Sequence, residues 1–337
     1  MPDITVIMGA HNAGRFLTEA VASVQRQTFS DWELIIVDNG STDGSGPTLQ
    51  AGLQDERVRI FTRPEALGPG GALLVACKAA KGRYLAVLDA DDLAQPRRLE
   101  MQRAYLDLQP EVFLLGTASA FIDGAGRNLG REPFVGLHED IHTLTAYVHV
   151  LRHSSVMFRR ELLDRVQYRP LLGGAADYDF FCRAVEAARV ACLPEVLCLY
   201  RLHAGNITVT AAARMAANGA LVRMLTRRRR AGLPEDFEQW RERFQSIFAD
   251  ERTSETHVHA ICARLFREEE HYDLAALHAW LAWRAGGGAR AAWEYFVATT
   301  CGLMRHRASR AALVRAWLKE PGHQLLRAGG MPDRMQF

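Results

Sequence analysis

The sequence has few of the features that mark exported, metal-clustered or membrane-spanning proteins. Its six cysteines include no CxxC pair and no spacing typical of a metal site, so buried, reduced thiols are expected. No uncharged apolar run reaches the length of about 18 residues that a membrane-spanning helix needs. The first apolar stretch, residues 4–8, is too short for the core of a signal peptide. We therefore expect a cytoplasmic protein.

The net charge of the chain is also small. The formal net charge is only +2 at pH 7, and nearly all of the positive charge comes from arginine, because the chain has just three lysines. This balance gives no overall attraction to nucleic acid, so we expect no nucleic-acid partner. With 48% hydrophobic and 24% charged residues, the composition is that of a globular protein, and 337 residues exceed one average domain.

Four short and almost unbroken apolar runs, at residues 4–8, 32–37, 58–62 and 84–88, predict buried β-strands. Apolar residues at helical spacing stand between these runs, so the expected fold class is α/β, with a mostly parallel sheet flanked by helices. Shorter strand-like segments at 113–116, 120–123, 153–158 and 190–199 predict a mixed half that completes this domain. After residue 210 the pattern is helical throughout, which predicts two domains, 1–210 and 211–337.

Acidic loops follow two of the predicted strands. Asp89, Asp91 and Asp92 come directly after the fourth strand, and carboxylates spaced i, i+2 on a loop can converge on one hard divalent cation. Taken alone, this group is as well explained by a solvated acidic turn or by the N-cap of a helix that starts near Pro96. A second acidic loop begins at Asp38, and the carboxyl ends of parallel strands lie at one sheet edge. Two such loops favour a site for a metal and a polar ligand.

Two further residues are weak signals when each is taken alone. Asp177 precedes an apolar helical pattern, so the simplest interpretation is a helix N-cap. His203 follows a predicted strand and precedes a turn, where a histidine is more often a surface or core residue than a ligand.

The order of these features resembles a known family. The sequence runs VIMGAHNAGRFL, WELIIVDNGSTDGS, YLAVLDADD, HSSVMFRRELL, ADYDFFCRA and LYRLHAGNIT. In this order the motifs closely resemble the inverting glycosyltransferases of family 2, which have the GT-A fold. The resemblance covers about residues 3–210, and the chain after residue 210 matches no motif that we can name.

The resemblance implies a nucleotide-sugar donor that lies over the carboxyl edge of the sheet. Asp38 is expected to contact the base or ribose, and the loop formed by Ala10, His11 and Asn12 is expected to flank it. This sequence has His11 where the family usually has a tyrosine, and Asn39 where a second acidic residue is usual.

The resemblance also implies a metal site and a catalytic base. Asp89, Ala90 and Asp91 correspond to the metal-and-diphosphate motif, and His203 corresponds to a C-terminal histidine that often completes it. The expected cofactor is Mn²⁺ or Mg²⁺, whose charge would stabilise the departing diphosphate. Asp177 corresponds to the base that takes the proton of the acceptor hydroxyl, and a single displacement gives inversion.

The predicted function is transfer of a sugar from a nucleoside diphosphate, most simply UDP, to a hydroxyl of a glycan or glycolipid in surface polysaccharide biosynthesis. One alternative is a catalytically silent sugar-binding or scaffold protein, which the departures from the family pattern leave open. Another is a sugar nucleotidyltransferase, although that enzyme should carry a glycine-rich basic loop near the N-terminus, where residues 9–15 offer only Arg15.

The predicted helical domain contains a run of four arginines, residues 227–230. Such a run can contact anionic lipid or a phosphate-bearing acceptor, which would place the protein peripherally at the inner face of a membrane. Charge runs are more often solvated helix faces, and the sequence leaves both interpretations open.

Overall fold

The computed structural model describes residues 1–132, 134–245, 255–268 and 271–284, and the chain divides into two compact units. The first unit contains Met1–Thr143 and His149–His203, and the second contains Leu144–Val148 and the chain from Ala204 onward. The predicted boundary at residue 210 stays a prediction. The parts of the predicted helical domain at 246–254, 269–270 and 285–337 lie outside the described residues.

A nine-stranded mixed sheet forms the centre of the first unit. The strands are β1 (Ile4–Ala10), β2 (Trp32–Asn39), β3 (Val58–Arg63), β4 (Tyr84–Val87), β5 (Leu93–Ala94), β6 (Val112–Asp123), β7 (Asn128–Arg131), β8 (Met157–Arg159) and β9 (Arg189–Leu202). Their order in the sheet is β3-β2-β1-β4-β8-β6-β9-β5, with β7 paired to β6.

The first four strands pair in parallel, with Ile4 of β1 opposite both Trp32 of β2 and Tyr84 of β4. Every residue of β2 is buried, because helices cover both faces of this half of the sheet. The four predicted N-terminal strands and the α/β fold class are confirmed. The remaining strands form a mixed half, as the shorter segments predicted.

Helices connect and cover the strands. They are α1 (Arg15–Gln25), α2 (Ser45–Gly52), α3 (Gly68–Ala79), α4 (Arg98–Leu108), α5 (His138–Thr145) and α6 (Ala176–Ala187), and 3₁₀ turns occupy His153–Ser155, Arg160–Asp164 and Pro170–Ala175. Helix α1 shows how the sequence selects the buried face, because Leu17, Val21 and Val24 recur at helical spacing and pack into the core.

Two details of the mixed half differ from the prediction. The segments predicted at 113–116 and 120–123 are one strand, β6, because Thr117 and Ser119 are buried beside β9 rather than forming a loop. A strand was also expected from residue 153, but His153–Ser155 forms a 3₁₀ turn in which the Ser155 hydroxyl donates to the Arg152 carbonyl. Strand β8 begins only at Met157.

The described part of the second unit is helical from residue 207 onward. Its helices are α7 (Ile207–Thr210), α8 (Ala212–Arg230), α9 (Phe237–Gln245), α10 (Glu255–Glu268) and α11 (Tyr272–Arg284). Helix α8 buries a stripe that includes Ala217, Leu221 and Met224. None of the described helices combines the length and apolarity that crossing a membrane requires.

Each arginine of the run at the end of α8 is half-buried and has a partner within the second unit. In order along the run, these partners are the Tyr147 ring, Asp236, Glu235 and the Thr145 hydroxyl. Of the two interpretations that the sequence left open, a freely solvated helix face does not fit, because these guanidinium groups make contacts inside the helical unit. The predicted membrane contact stays a prediction.

Candidate active site

The loops that follow β1 and β2 are joined by hydrogen bonds at the carboxyl edge of the sheet. The Nδ1 atom of His11 donates to the Asn39 carbonyl at 2.9 Å, and the Asn12 backbone N–H donates to the Ser41 hydroxyl at 3.0 Å. The Asn12 side-chain oxygen accepts the Thr42 N–H at 2.8 Å, and Asn12 itself has a positive φ of 52°. Asparagine tolerates this left-handed conformation better than most residues. The two loops therefore form one surface.

Asp38 lies beneath this surface, with Ala10 of β1 as its register partner on the neighbouring strand. The Asp38 residue is only 3% exposed, and one carboxylate oxygen accepts the Ser41 N–H at 3.1 Å. A Cβ atom at Gly46 would clash with the other carboxylate oxygen, so any other residue there would displace the Asp38 side chain. The structure thus brings the predicted nucleotide-binding residues Ala10, His11, Asn12 and Asp38 to one place, and their contact with a nucleotide stays a prediction.

The acidic loop after β4 is anchored by Asp92, which is fully buried. The Ser154 hydroxyl donates to one Asp92 oxygen, and the backbone N–H of Arg201 donates to the other at 2.8 Å. Burial raises the pKa of Asp92 well above its ordinary value, and the neighbouring carboxylates of Asp91 and Asp89 raise it further. The N-cap of α4 is Arg97, so the suggestion that this acidic group caps that helix is wrong.

Asp89 is held by two groups of the 3₁₀ turn before β8. Its backbone N–H donates to the Ser154 hydroxyl at 3.0 Å, and its carboxylate accepts from Nδ1 of His153 at 2.9 Å. The Nε2 atom of His153 makes a hydrogen bond of 3.1 Å with the Tyr168 hydroxyl. Only 8% of the His153 side chain is exposed, against 35% of the Asp89 side chain.

This pair favours its charged form. Burial alone would lower the pKa of His153, but the charge of Asp89 and the hydrogen bond to it outweigh burial and raise that pKa. Burial alone would raise the pKa of Asp89, and the His153 charge and hydrogen bond outweigh it in the same way, so that pKa is lowered. The structure therefore presents an ionised Asp89 at the sheet edge.

Asp91 meets His203 at the same edge. The Nε2 atom of His203 donates to an Asp91 oxygen at 3.0 Å, and the His203 ring packs on Phe16 with 4.7 Å between ring centroids. Arg201 of β9 holds the loop, because its side chain donates to the Asp91 carbonyl at 2.8 Å and to Glu19 at 2.7 Å.

The donor set has the right chemistry for a divalent cation, but the side chains do not by themselves enclose one. Carboxylate oxygen and imidazole nitrogen are both ligands for Mn²⁺ or Mg²⁺, and Asp91 and His203 supply one of each. Asp89, the third predicted ligand, is turned toward His153. Among the residues that the structure describes, no three histidine, cysteine, aspartate or glutamate side chains are arranged to hold a metal. Mg²⁺ in proteins is commonly bound by one or two carboxylates plus substrate phosphates, and this arrangement fits that pattern.

Asp177 is the second residue of α6, whose N-cap is Ala175, so the N-cap interpretation of Asp177 is wrong. Its Oδ1 atom accepts the Tyr178 backbone N–H at 2.7 Å, and its Oδ2 atom lies 3.6 Å from Nε2 of His149. The positive end of the helix dipole favours a carboxylate at this position. The charge of Asp177 also helps to raise the pKa of His153, after the larger effect of Asp89, so the two carboxylates act on one buried histidine.

Sequence reasoning missed several residues that build this site, namely His149, His153, Ser154 and Arg201, and it did not indicate that Asp92 is buried. His153, Ser154 and Arg201 stand in the quoted motifs, but no local pattern indicates that they reach the acidic loop. Their partners come from other strands and turns, and only the sheet topology brings them together.

A family model described as Glycosyl transferase family 2 matches residues 5–167. An uncharacterized glycosyltransferase of Methanocaldococcus jannaschii is 31% identical over 206 residues, which cover 60% of this chain and 71% of the relative. The O-antigen biosynthesis glycosyltransferase WbnJ of Escherichia coli is 30% identical over 59% of this chain and 80% of its own length. WfgD of Escherichia coli, named as a UDP-Glc:alpha-D-GlcNAc-diphosphoundecaprenol beta-1,3-glucosyltransferase, is 35% identical over 50% of this chain and 62% of its own length.

Two solved structures show the same fold at low sequence identity. TarS of S. aureus (residues 1–349), in complex with UDP-GlcNAc, aligns with a TM-score of 0.56 and 17% identity over 97% of this chain and 88% of its own. The mannosyltransferase PcManGT of Pyrobaculum calidifontis, in complex with GDP-Man and Mn²⁺, aligns with a TM-score of 0.54 and 18% identity over 97% and 86%. These likenesses confirm the predicted GT-A fold.

Proposed function

The chain belongs to glycosyl transferase family 2, and from that premise we propose that it moves a sugar from a UDP donor to a hydroxyl of a glycan or glycolipid. The observation that carries this proposal is the sheet edge at which Asp91 and His203 are paired 3.0 Å apart beside an ionised Asp89. Acidic groups and a histidine gathered at the carboxyl ends of parallel strands suit a charged ligand that brings its own cation.

Asp91 and His203 are the residues that would hold Mn²⁺ or Mg²⁺, with Asp89 available beside them. When bound there, the cation supplies positive charge that stabilises the diphosphate leaving group. The Mn²⁺ and GDP-Man named for PcManGT, and the UDP-GlcNAc named for TarS, support a nucleotide-sugar donor by analogy of fold. The two hydrogen-bonded loops that contain His11, Asn12 and Asp38 are proposed to bind the nucleotide.

Asp177 is the proposed catalytic base. Its Oδ1 atom is engaged by the Tyr178 N–H, so Oδ2 is the oxygen that would receive the proton of the acceptor hydroxyl. As that proton leaves, the acceptor oxygen forms a bond to the anomeric carbon, and the bond between this carbon and the diphosphate breaks on the opposite face. A single displacement of this kind inverts the anomeric configuration.

The acceptor class is proposed from the relatives. WbnJ is named for O-antigen biosynthesis, and the name of WfgD specifies a diphosphoundecaprenol-linked sugar as acceptor. A hydroxyl of a growing surface polysaccharide, free or carried on a lipid diphosphate, is therefore the proposed acceptor. The cytoplasmic location and the contact with the inner face of a membrane stay predictions.

The experiment is a thermal-shift panel of UDP-sugars and GDP-sugars with Mn²⁺ or with EDTA. A ligand that binds only the folded state stabilises it by about 2.7 kcal/mol at 100 times its dissociation constant, so a true donor raises the unfolding midpoint only when Mn²⁺ is present.

The variant Asp91→Ala should abolish this Mn²⁺-dependent shift and leave the midpoint without ligand unchanged, because a loop carboxylate supports no core. Asp140→Ala is the matched control, since Asp140 is an exposed carboxylate in α5. Parental UDP binding by Asp91→Ala in Mn²⁺ would contradict the metal assignment. Pyrophosphate rather than UDP among the products would favour a nucleotidyltransferase, and failure of every donor to bind would favour a silent protein.

A further inference from the structure

His149 has an environment that packing alone does not explain. Its Nε2 atom is buried and has no hydrogen-bond partner among the described residues, although most buried polar atoms in proteins have one. The Oδ2 atom of Asp177 lies 3.6 Å from this nitrogen, just beyond hydrogen-bond distance. A buried donor left without a partner destabilises the folded state, so its presence requires an explanation.

Aromatic contacts restrict the orientation of the His149 ring. It packs against the rings of Tyr178 and Phe181 of α6, with centroid distances of 5.3 Å and 5.5 Å. Both contacts are made with the helix whose first turn carries Asp177, so ring and carboxylate belong to one packed group.

His149 faces Asp177 as a neutral hydrogen-bond donor. Burial lowers the pKa of His149, and the opposing effect of Asp177 only partly offsets it. The other charged groups that act on this ring are Arg152, Glu132 and His153, and Arg152 and Glu132 form an ion pair with each other. A neutral imidazole carries one N–H, and the carboxylate beside Nε2 favours the tautomer with the proton on that nitrogen.

We propose that His149 is a positioning residue that orients the Asp177 carboxylate toward the acceptor hydroxyl, an inference that rests on the proposed role of Asp177 as the base. The Tyr178 N–H donates to Oδ1, and the His149 N–H, on a ring that packs at a tilt against Tyr178 and Phe181, donates to Oδ2 once the 3.6 Å separation shortens by less than 1 Å. The carboxylate is then fixed at both oxygens, with one lone pair of Oδ2 left for the proton of the acceptor. His149 neither gains nor loses a proton in this step.

The informative variant is His149→Phe, which keeps a ring against Tyr178 and Phe181 but removes the N–H. We expect kcat to fall about tenfold or more, because a hydrogen bond to a charged group typically contributes that much. The KM for the donor should stay at the parental value. The unfolding midpoint should stay or rise, because the variant removes a buried nitrogen that has no partner. His149→Gln, which can place an N–H near the same point, should recover most of the lost rate.

The test compares the parent, Asp177→Asn, His149→Phe and the double variant. The readout is UDP release from UDP-glucose and UDP-N-acetylglucosamine in Mn²⁺, with p-nitrophenyl glycosides as acceptors. If His149 acts through Asp177, His149→Phe lowers the rate in the parent but changes it less than about twofold in the Asp177→Asn background. His142→Phe is the control, because His142 is another histidine of the first unit and packs on His138.

The outcomes separate this inference from the proposed function. Parental UDP release by Asp177→Asn would remove the base assignment, and the role of His149 with it. A large loss in Asp177→Asn together with parental kcat in His149→Phe would overturn the role of His149 and leave the base assignment standing. Equal losses for His149→Phe in both backgrounds, or a lowered unfolding midpoint without rescue by His149→Gln, would show that the residue is only structural.

Discussion

The Ser154 hydroxyl links the acidic loop after β4 to the 3₁₀ turn before β8. Replacing Ser154 by alanine removes this link, and the effect on stability can be calculated. The hydroxyl donates to Asp92 and accepts the Asp89 backbone N–H, and the residue is only 1% exposed. Burial raises the pKa of Asp92, and the neighbouring carboxylates raise it further, which favours its neutral form, so both bonds are counted as neutral ones, at about 0.5–1.5 kcal/mol each. Ser154→Ala should therefore lower the free energy of unfolding by about 1–3 kcal/mol.

The adjacent Ser155 offers a matched control. It is fully buried like Ser154, but its hydroxyl makes a single neutral bond to the Arg152 carbonyl at 2.8 Å. Ser155→Ala should cost only about 1 kcal/mol. For a unit of this size, each kcal/mol shifts the unfolding midpoint by about 2–4 °C, so Ser154→Ala should lower it by about 2–12 °C.

Differential scanning calorimetry of both variants measures these shifts, and calorimetric titration with UDP in Mn²⁺ measures the effect on the site. Ser154→Ala should also weaken UDP binding, because the loop that carries Asp89 and Asp91 loses two of its hydrogen bonds, whereas Ser155→Ala should not. A midpoint shift for Ser155→Ala as large as that for Ser154→Ala would refute the claim that the Ser154 hydroxyl links the acidic loop to the 3₁₀ turn.

Two further predictions test the base and the helical unit. Asp177→Asn should lower sugar transfer about 100-fold or more while UDP affinity in Mn²⁺ stays unchanged, because general-base catalysis typically contributes that much; near-parental turnover would exclude the base role. In the helical unit, the pKa of His278 is held well below the ordinary value of 6.5, chiefly by burial, then by Arg223 and His259. His278 is therefore protonated in the unfolded chain at a pH at which it stays neutral in the folded protein. The unfolding midpoint should fall as pH drops below about 6.5. His278→Gln should flatten that slope in scans from about pH 7.5 to pH 5, and an unchanged slope would contradict the assignment.

The first half of the sheet could be predicted from the sequence because its strands are covered on both faces. Every residue of β2 is buried, so its apolar run is nearly continuous and needs no tertiary information to recognise. The second half could not be predicted as well. The polar residues Thr117 and Ser119 predict a loop between two strands. Both are instead buried within β6, which pairs with β9, and that pairing joins residues far apart in the sequence.

The site shows the same division. Asp89, Asp91 and His203 could be selected because acidic loops after parallel strands gather at one edge, and because the motifs resemble a family. The 3₁₀ turn at residues 153–155 positions His153 against Asp89 and Ser154 against Asp92. The local sequence pattern predicted a strand at these residues instead. Hydrogen bonds between distant loops leave no periodic signal in a single sequence.

The central claim is transfer of a sugar from a UDP donor with inversion, and the anomeric configuration of the product tests it most directly. The protein is incubated with Mn²⁺, p-nitrophenyl glycoside acceptors and UDP-sugars that carry ¹³C at the anomeric carbon, and NMR follows the first product formed. The account predicts release of UDP together with a product of β configuration from an α-linked donor. A product that keeps the α configuration, or consumption of the donor with release of pyrophosphate, would contradict it.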